Sequence, residues 1–283
     1  MKNCIKLMRI HHYIKNLLIF SSLIFSGQLF DMDKASACLW GFAAFCALSS
    51  AIYIINDIHD KDYDRMHSTK CNRPIASGTV SVKAAIIIAA ILLIISAICN
   101  FIVFHTYSTL LLVFYLLLNL IYSFGLKNIP LVDVTILVAG FLIRVMYGAV
   151  ISSITVSSWL YLTVIALAFY FAFGKRRNEL INQKNTRQVL KTYSLNFLDK
   201  NMYMCLTLTN VFYALWSMVS DAALSYNKNF IFTVPIVLLI CMKYSMNIEG
   251  QSDGDPVEVL LHDKSLLFLC FVYAVVMFAI LYV

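Results

Sequence analysis

Long apolar runs separated by short polar breaks make up this chain from end to end. They predict helical spans at about 16–30, 38–58, 83–104, 107–125, 130–151, 157–174, 203–222, 229–247 and 265–283. A helix needs roughly 20 apolar residues to cross ~30 Å of hydrocarbon, and most of these runs supply that. The runs are continuously apolar rather than alternating, which excludes a membrane β-barrel. The expected fold class is therefore all-α: a polytopic membrane protein of about nine transmembrane helices. No span can bury its apolar face alone, so residues 1–283 read as a single membrane domain. The first span is short, and its helix is expected to begin inside the basic segment before it.

Charge changes this picture by giving it a direction. Only 13% of residues are charged and the net charge is +7, with a mean hydropathy of +0.79. Of the 22 Lys and Arg residues, only Lys34 and Lys228 fall in the breaks on one side, and Arg144 falls inside a span. All the others share the opposite side. Lys and Arg are retained in the cytoplasm, so the N-terminus is expected inside and the C-terminus outside an inner membrane. The inner breaks are also the long, polar ones, so chemistry is expected at the cytoplasmic face. The opening "MKNCIKLMRIHHYIKNLLIFSSLIFSG" has the pattern of a signal peptide. Because spans follow it, it is read as an uncleaved first helix that serves as its own targeting signal. The eight cysteines are scattered, without metal-ligand spacing, and are read as small apolar residues.

The most polar stretch is "NDIHDKDYDRMHSTKCNRPIASG", Asn56–Gly78, where the second span emerges on the inner side. On a helix, offsets of three, four and seven share a face, so Asp57, Asp60 and Asp64 form one acidic stripe with Asn56 at its edge. Asp62 points roughly the other way. Like charges on one stripe repel unless a cation or ligand sits among them, and hard oxygen donors suit Mg²⁺ bound together with substrate phosphates. The competing reading is a solvated helix end paired to nearby cations. Arg65, Lys70 and Arg73 follow, and Pro74 and Gly78 turn the chain. Such cations beside a metal stripe suit a polyphosphate, or simply anchor the protein to lipid headgroups.

Two further inner segments carry charge: "YSFGLKNIPLVDV", with Tyr122, Lys127 and Asp133, and "FGKRRNELINQKNTRQVLK". In the latter, Lys175 and Glu179 are spaced to pair on a helix, whereas Lys175, Arg176, Arg177 and Arg187 have the charge to hold phosphates. Arg144 lies within a span between Gly140 and Gly148. An intramembrane cation is costly and faces a partner or a polar cavity, and glycines at helical spacing permit close helix packing.

"NDIHDKDYD" resembles the NDxxDxxxD motif of the UbiA superfamily of membrane prenyltransferases. With "RIHHYIKNLLIF", "YSFGLKNIPLVDVTILVAGFLIRVMYGA", "FGKRRNEL" and "GDPVEVLLHDKSL", the sequence resembles its decaprenyl-phosphate phosphoribosyltransferase branch from Arg9 to about Leu266. Where prenyltransferases acting on aromatic rings carry a second aspartate-rich motif, this chain has "GKRRNEL", with one carboxylate. The resemblance implies a UbiA-like bundle around a cytoplasm-facing cavity. It implies transfer of a 5-phosphoribosyl group from phosphoribosyl pyrophosphate to a polyprenyl phosphate, giving a precursor for cell-envelope polysaccharide. It also implies Mg²⁺ on Asp57, Asp60 and Asp64, aided by Asn56, with Lys70 and Arg73 assisting at the pyrophosphate and Arg65 also in the substrate-binding set. Lys175, Arg176 and Glu179 fall to the ribose 5-phosphate and hydroxyls, and Lys15 and Lys127 to the lipid phosphate. Asn16, Tyr122 and Arg144 complete the expected substrate-binding set. The competing readings are an aromatic prenyltransferase, against which the basic segment argues, and a lipid or ion transporter, which would place its ionisable residues near the midplane.

Overall fold

The computed structural model describes residues 2–66, 70–103, 105–182, 188–219, 230–250, 252 and 254–282. Lys184, Arg187 and Lys228 lie outside these residues. Among the described residues every regular element is helical. The α-helices are α1 (Lys2–Met8), α2 (Ser21–Phe25), α3 (Met32–His59), α4 (Lys61–Arg65), α5 (Val82–Ile102) and α6 (Thr106–Phe124). They continue with α7 (Val132–Ser152), α8 (Ser158–Ile181), α9 (Leu195–Val219), α10 (Val234–Glu249), α11 (Pro256–His262) and α12 (Lys264–Tyr282). Eight segments are long and apolar enough to cross a membrane: α3, α5, α6, α7, α8, α9, α10 with its 3₁₀ lead-in from Phe230, and α12. The protein is a multi-pass membrane protein.

The expected first span is not among those eight. Residues Ile10–Phe20 form a 3₁₀-helix, followed by the short α2. A 3₁₀-helix rises ~2.0 Å per residue against ~1.5 Å for an α-helix, so residues 10–25 reach about 30 Å. A segment too short as an α-helix thereby gains the length of a span. It opens at Arg9, whose backbone is left-handed (φ 52°, ψ 50°), and Gly27 at φ 74° closes it. The basic segment at 175–181 continues α8 beyond the expected end of its span at about 174.

The chain divides into two compact units: residues 1–23, 29–126 and 143–154, and residues 24–28, 127–142 and 155–283. In the first, α3 is the central helix, with two-thirds of its apolar window buried. Asp31 caps its start by accepting a hydrogen bond from the Lys34 amide. Its small residues Ala47 and Ala51 pack with Leu7, Ile54, Ile75 and Ala85, while Phe45 and Leu48 pack with Ile19, Tyr115 and Tyr147. Gly148 lies so close to the 3₁₀ segment that a Cβ there would stand 1.9 Å from the Ile19 carbonyl oxygen. On α5 and α6, Ile87, Ile94, Phe101, Leu110 and Phe114 are exposed, as a lipid-facing surface requires. The second unit has one core around Tyr170, Phe173, Leu198, Met202, Ile248 and Leu266. A second gathers Leu160, Tyr213, Trp216, Phe230 and Met277.

Candidate active site

In the first unit the acidic stripe is folded against two arginines. α3 ends at His59, Asp60 is the junction, and α4 continues to Arg65 with the Asp64 amide bonded to the Asp60 carbonyl. The near-helical junction keeps Asp57 and Asp64 on one face. Both are buried, at 3% and 4% exposure, whereas the Asp62 side chain is 86% exposed. Arg73 Nη1 donates to Asp57 Oδ1 at 3.1 Å and to Asp64 Oδ2 at 2.6 Å. Arg9 Nη2 donates to the same Asp57 Oδ1 at 2.5 Å, and its guanidinium lies 4.9 Å from the Tyr53 ring centre. Asp60 is half-buried beside His59, 3.0 Å away, and Asn56 is half-buried.

The sequence builds this geometry locally. "RPIASG" folds into a compact knot: Val80 N and Thr79 Oγ1 both donate to the Pro74 carbonyl. Gly78 supplies the left-handed turn at φ 77°. Ile75, 1% exposed, plugs the knot into the core beside Leu7 and Ile54. Arg73, just before Pro74, is thereby held against the carboxylates. Arg65 Nε donates to the Ala76 carbonyl, so this candidate braces the knot. Lys70 lies half-buried in the 3₁₀ turn Lys70–Asn72.

Arg144 and Asn16 form a separate buried group in the same unit. Arg144 Nε donates to Asn16 Oδ1 at 2.8 Å and Nη2 to the Tyr115 hydroxyl at 2.8 Å. Its guanidinium lies over the Phe45 and Tyr115 rings. Asn16 Nδ2 donates to Ser49 and Cys46. Both are buried, at 6% and 1% exposure, so this group fastens the 3₁₀ segment to α3 and α7. Lys15 on the same segment is half-buried, as is Tyr122 in the last turn of α6.

The second unit holds the basic segment. Arg176 is fully buried: Nε donates to Asp133 Oδ2 at 2.6 Å and Nη1 to Glu179 Oε2 at 2.7 Å. Asp133, also fully buried, accepts a further bond at 2.7 Å from the Tyr193 hydroxyl, which in turn accepts from the Leu131 amide. Burial and the Asp133 carboxylate push the Tyr193 hydroxyl up to about 12, so it remains a donor at neutral pH. Lys175 pairs with Asp255 at 3.0 Å rather than with Glu179. Asp255 also caps α11 through the Val257 amide, with Pro256 at the first position. Gly254 (φ 73°) brings this loop so close that a Cβ would sit 2.9 Å from Lys175 Cα. Lys127 lies half-buried in the 3₁₀ turn Leu126–Asn128.

Asp57 and Asp64 fit a divalent cation by donor chemistry. Oxygens from both converge on one positive nitrogen of Arg73, so a single point already draws two carboxylates. Mg²⁺ commonly uses one or two carboxylates and completes its octahedron with phosphate and water. Among the described residues no group of three or more His, Cys, Asp or Glu gathers as a metal cage, so the substrate would supply the remaining ligands. Arg9, Tyr193 and Asp255 were not among the sequence candidates, and Asp133 was noted only as part of an inner turn. Of these, only Asp255 carried a local signal, the Asp-Pro start of a helix.

The sequence profile of the UbiA prenyltransferase family matches residues 17–272. The chain belongs to this family. It is 32% identical to decaprenyl-phosphate phosphoribosyltransferase of Mycolicibacterium smegmatis over 278 residues, spanning 93% of this chain and 87% of that one. To the enzyme of the same name from Corynebacterium glutamicum it is 31% identical over 287 residues, spanning 96% and 85%. A solved UbiA homologue from Archaeoglobus fulgidus, bound to DMAPP and Mg²⁺, shares the fold with a TM-score of 0.74 at 17% identity, covering 99% of both chains.

Proposed function

We propose that this family member is a Mg²⁺-dependent phosphoribosyltransferase. It moves a 5-phosphoribosyl group from phosphoribosyl pyrophosphate to a polyprenyl phosphate at the cytoplasmic face of the inner membrane. The product would feed cell-envelope polysaccharide synthesis. The observation that carries this reading is the similarity to decaprenyl-phosphate phosphoribosyltransferases along nearly the whole chain. The basic segment of α8, which has Lys175, Arg176 and Arg177 where an aromatic prenyltransferase has a second aspartate-rich motif, supports it.

The reaction breaks the bond between ribose C1 and the pyrophosphate oxygen and forms one from C1 to an oxygen of the lipid phosphate. Charge builds on the departing pyrophosphate as C1 becomes cationic. Asp57 and Asp64, with Asp60 and Asn56 beside them, would hold Mg²⁺, which would neutralise that leaving charge. Arg73 and Lys70 bind pyrophosphate oxygens and stabilise charge developing there. To Lys175 we assign the ribose 5-phosphate and to Glu179 the ribose hydroxyls. Arg176 serves by holding Glu179 in place, since its guanidinium is already enclosed between two carboxylates. Lys15 and Lys127 attract the lipid phosphate. That acceptor is ionised at neutral pH, so the residues need not supply a strong base. Mass spectrometry of the products formed from phosphoribosyl pyrophosphate and a polyprenyl phosphate tests this assignment.

A further inference from the structure

Two guanidinium groups converge on one buried carboxylate oxygen, Asp57 Oδ1, and only one belongs to the Asn56–Gly78 motif. Arg9 comes from the segment ahead of the 3₁₀-helix and reaches Asp57 from a left-handed backbone. That conformation costs a non-glycine residue on the order of 1 kcal/mol or more. Arg73 is fixed by two carboxylates and by the knot behind it, whereas among the described residues the Arg9 side chain has its one ion pair with Asp57 and a stacking contact with Tyr53.

We propose that Arg9 is a placeholder cation: it neutralises Asp57 until metal and diphosphate arrive together, and so makes metal binding depend on the donor. Two arginines balance Asp57 and Asp64 and leave Asp60 as the one remaining charge of the stripe, so a bare divalent ion would still add net positive charge to a buried site, where it is poorly tolerated. An ion arriving with diphosphate brings its own negative charge and gives Arg9 a new partner. Arg9 is thus a positioning and coupling residue. The proposal rests on the metal reading of the first site, and its test separates the two.

The test measures Mn²⁺ binding to the purified full-length protein by paramagnetic resonance, with and without inorganic pyrophosphate. In the unaltered protein, pyrophosphate should tighten Mn²⁺ binding strongly. Arg9→Gln should bind Mn²⁺ alone about tenfold more tightly, the scale of one charge-assisted hydrogen bond, and should lose most of the pyrophosphate effect. Arg9→Lys should restore it. Tyr53→Leu, which only loosens the stack, should tighten binding two- to threefold and serves if Arg9→Gln does not fold. A folded Arg9→Gln or Tyr53→Leu protein with unchanged or weaker Mn²⁺ binding would overturn the proposal. Equal Mn²⁺ binding by Asp57→Asn and the unaltered protein would reject the metal site itself, and the proposal with it.

Discussion

Arg176→Gln is the substitution for which structure and sequence pattern give opposed expectations. A basic side chain in a segment read as phosphate-binding should, when replaced, weaken donor affinity and leave the fold intact. The structure instead places Arg176 at 0% exposure, bonded to Asp133 at 2.6 Å and to Glu179 at 2.7 Å. Removing one partner of a buried ion pair strands the other charge, at a cost of about 3–5 kcal/mol. That is a large fraction of a typical stability of roughly 5–15 kcal/mol. Asp133 would retain the Tyr193 hydroxyl, which favours the low end of the range. Replacing Asp133 as well, as Asp133→Asn with Arg176→Gln, removes the fully buried one of the two stranded carboxylates and leaves Glu179, whose side chain is 14% exposed. The double variant should be more stable than the sum of the single losses predicts, by about 2 kcal/mol. Unfolding in detergent micelles, followed by tryptophan fluorescence, measures all three variants. A loss below about 1 kcal/mol for Arg176→Gln, with strict additivity in the double variant, would refute the argument. Lys175→Gln is the control: its pair with Asp255 is 30% exposed on the lysine side, so stability should change by less than about 1 kcal/mol while donor affinity falls.

The acidic stripe gives a positional pattern. Asp57→Asn, Asp60→Asn and Asp64→Asn should each lower turnover about a hundredfold or more, the scale of losing transition-state charge stabilisation, while exposed Asp62→Asn stays within about twofold; equal losses in all four would undo the one-face geometry. Gly148→Val should abolish folded protein in size-exclusion profiles, because a Cβ there would meet the Ile19 carbonyl at 1.9 Å, and a normal profile would mean the 3₁₀ segment does not pack on α7. With native cysteines removed, Asp62→Cys should resist a membrane-impermeant thiol reagent added outside intact cells, and Thr155→Cys should react with it. The reverse labelling would move the acidic stripe to the outer face.

The long helices were legible because continuous apolar runs of that length have one physical solution in lipid. The first span was not, because composition does not distinguish a stretched 3₁₀ segment from a short α-helix, and Arg9 carries no mark of its left-handed backbone. Asp57, Asp64 and the outward Asp62 could be sorted by helical spacing alone, since the near-helical junction at Asp60 preserves the face. What joins them to Arg9 was hidden, because 48 residues separate Arg9 from Asp57. The same holds for Arg176: its partner Asp133 is 43 residues away, and Tyr193 reaches Asp133 across 60. A basic run in sequence therefore looked uniformly available for phosphate, while folding enclosed one of its members and paired another with Asp255.

Purified protein given a polyprenyl phosphate, Mg²⁺ and phosphoribosyl pyrophosphate, with products read by mass spectrometry, puts the central assignment to its most direct test. The expected product is a lipid heavier than the acceptor by one phosphoribosyl group. Its formation should stop with chelator and fall at least a hundredfold with a donor lacking the 5-phosphate, as expected from the loss of two or more charge-assisted contacts. Absence of the ribosylated lipid, with turnover of a prenyl diphosphate and an aromatic acid by the same preparation, would contradict it.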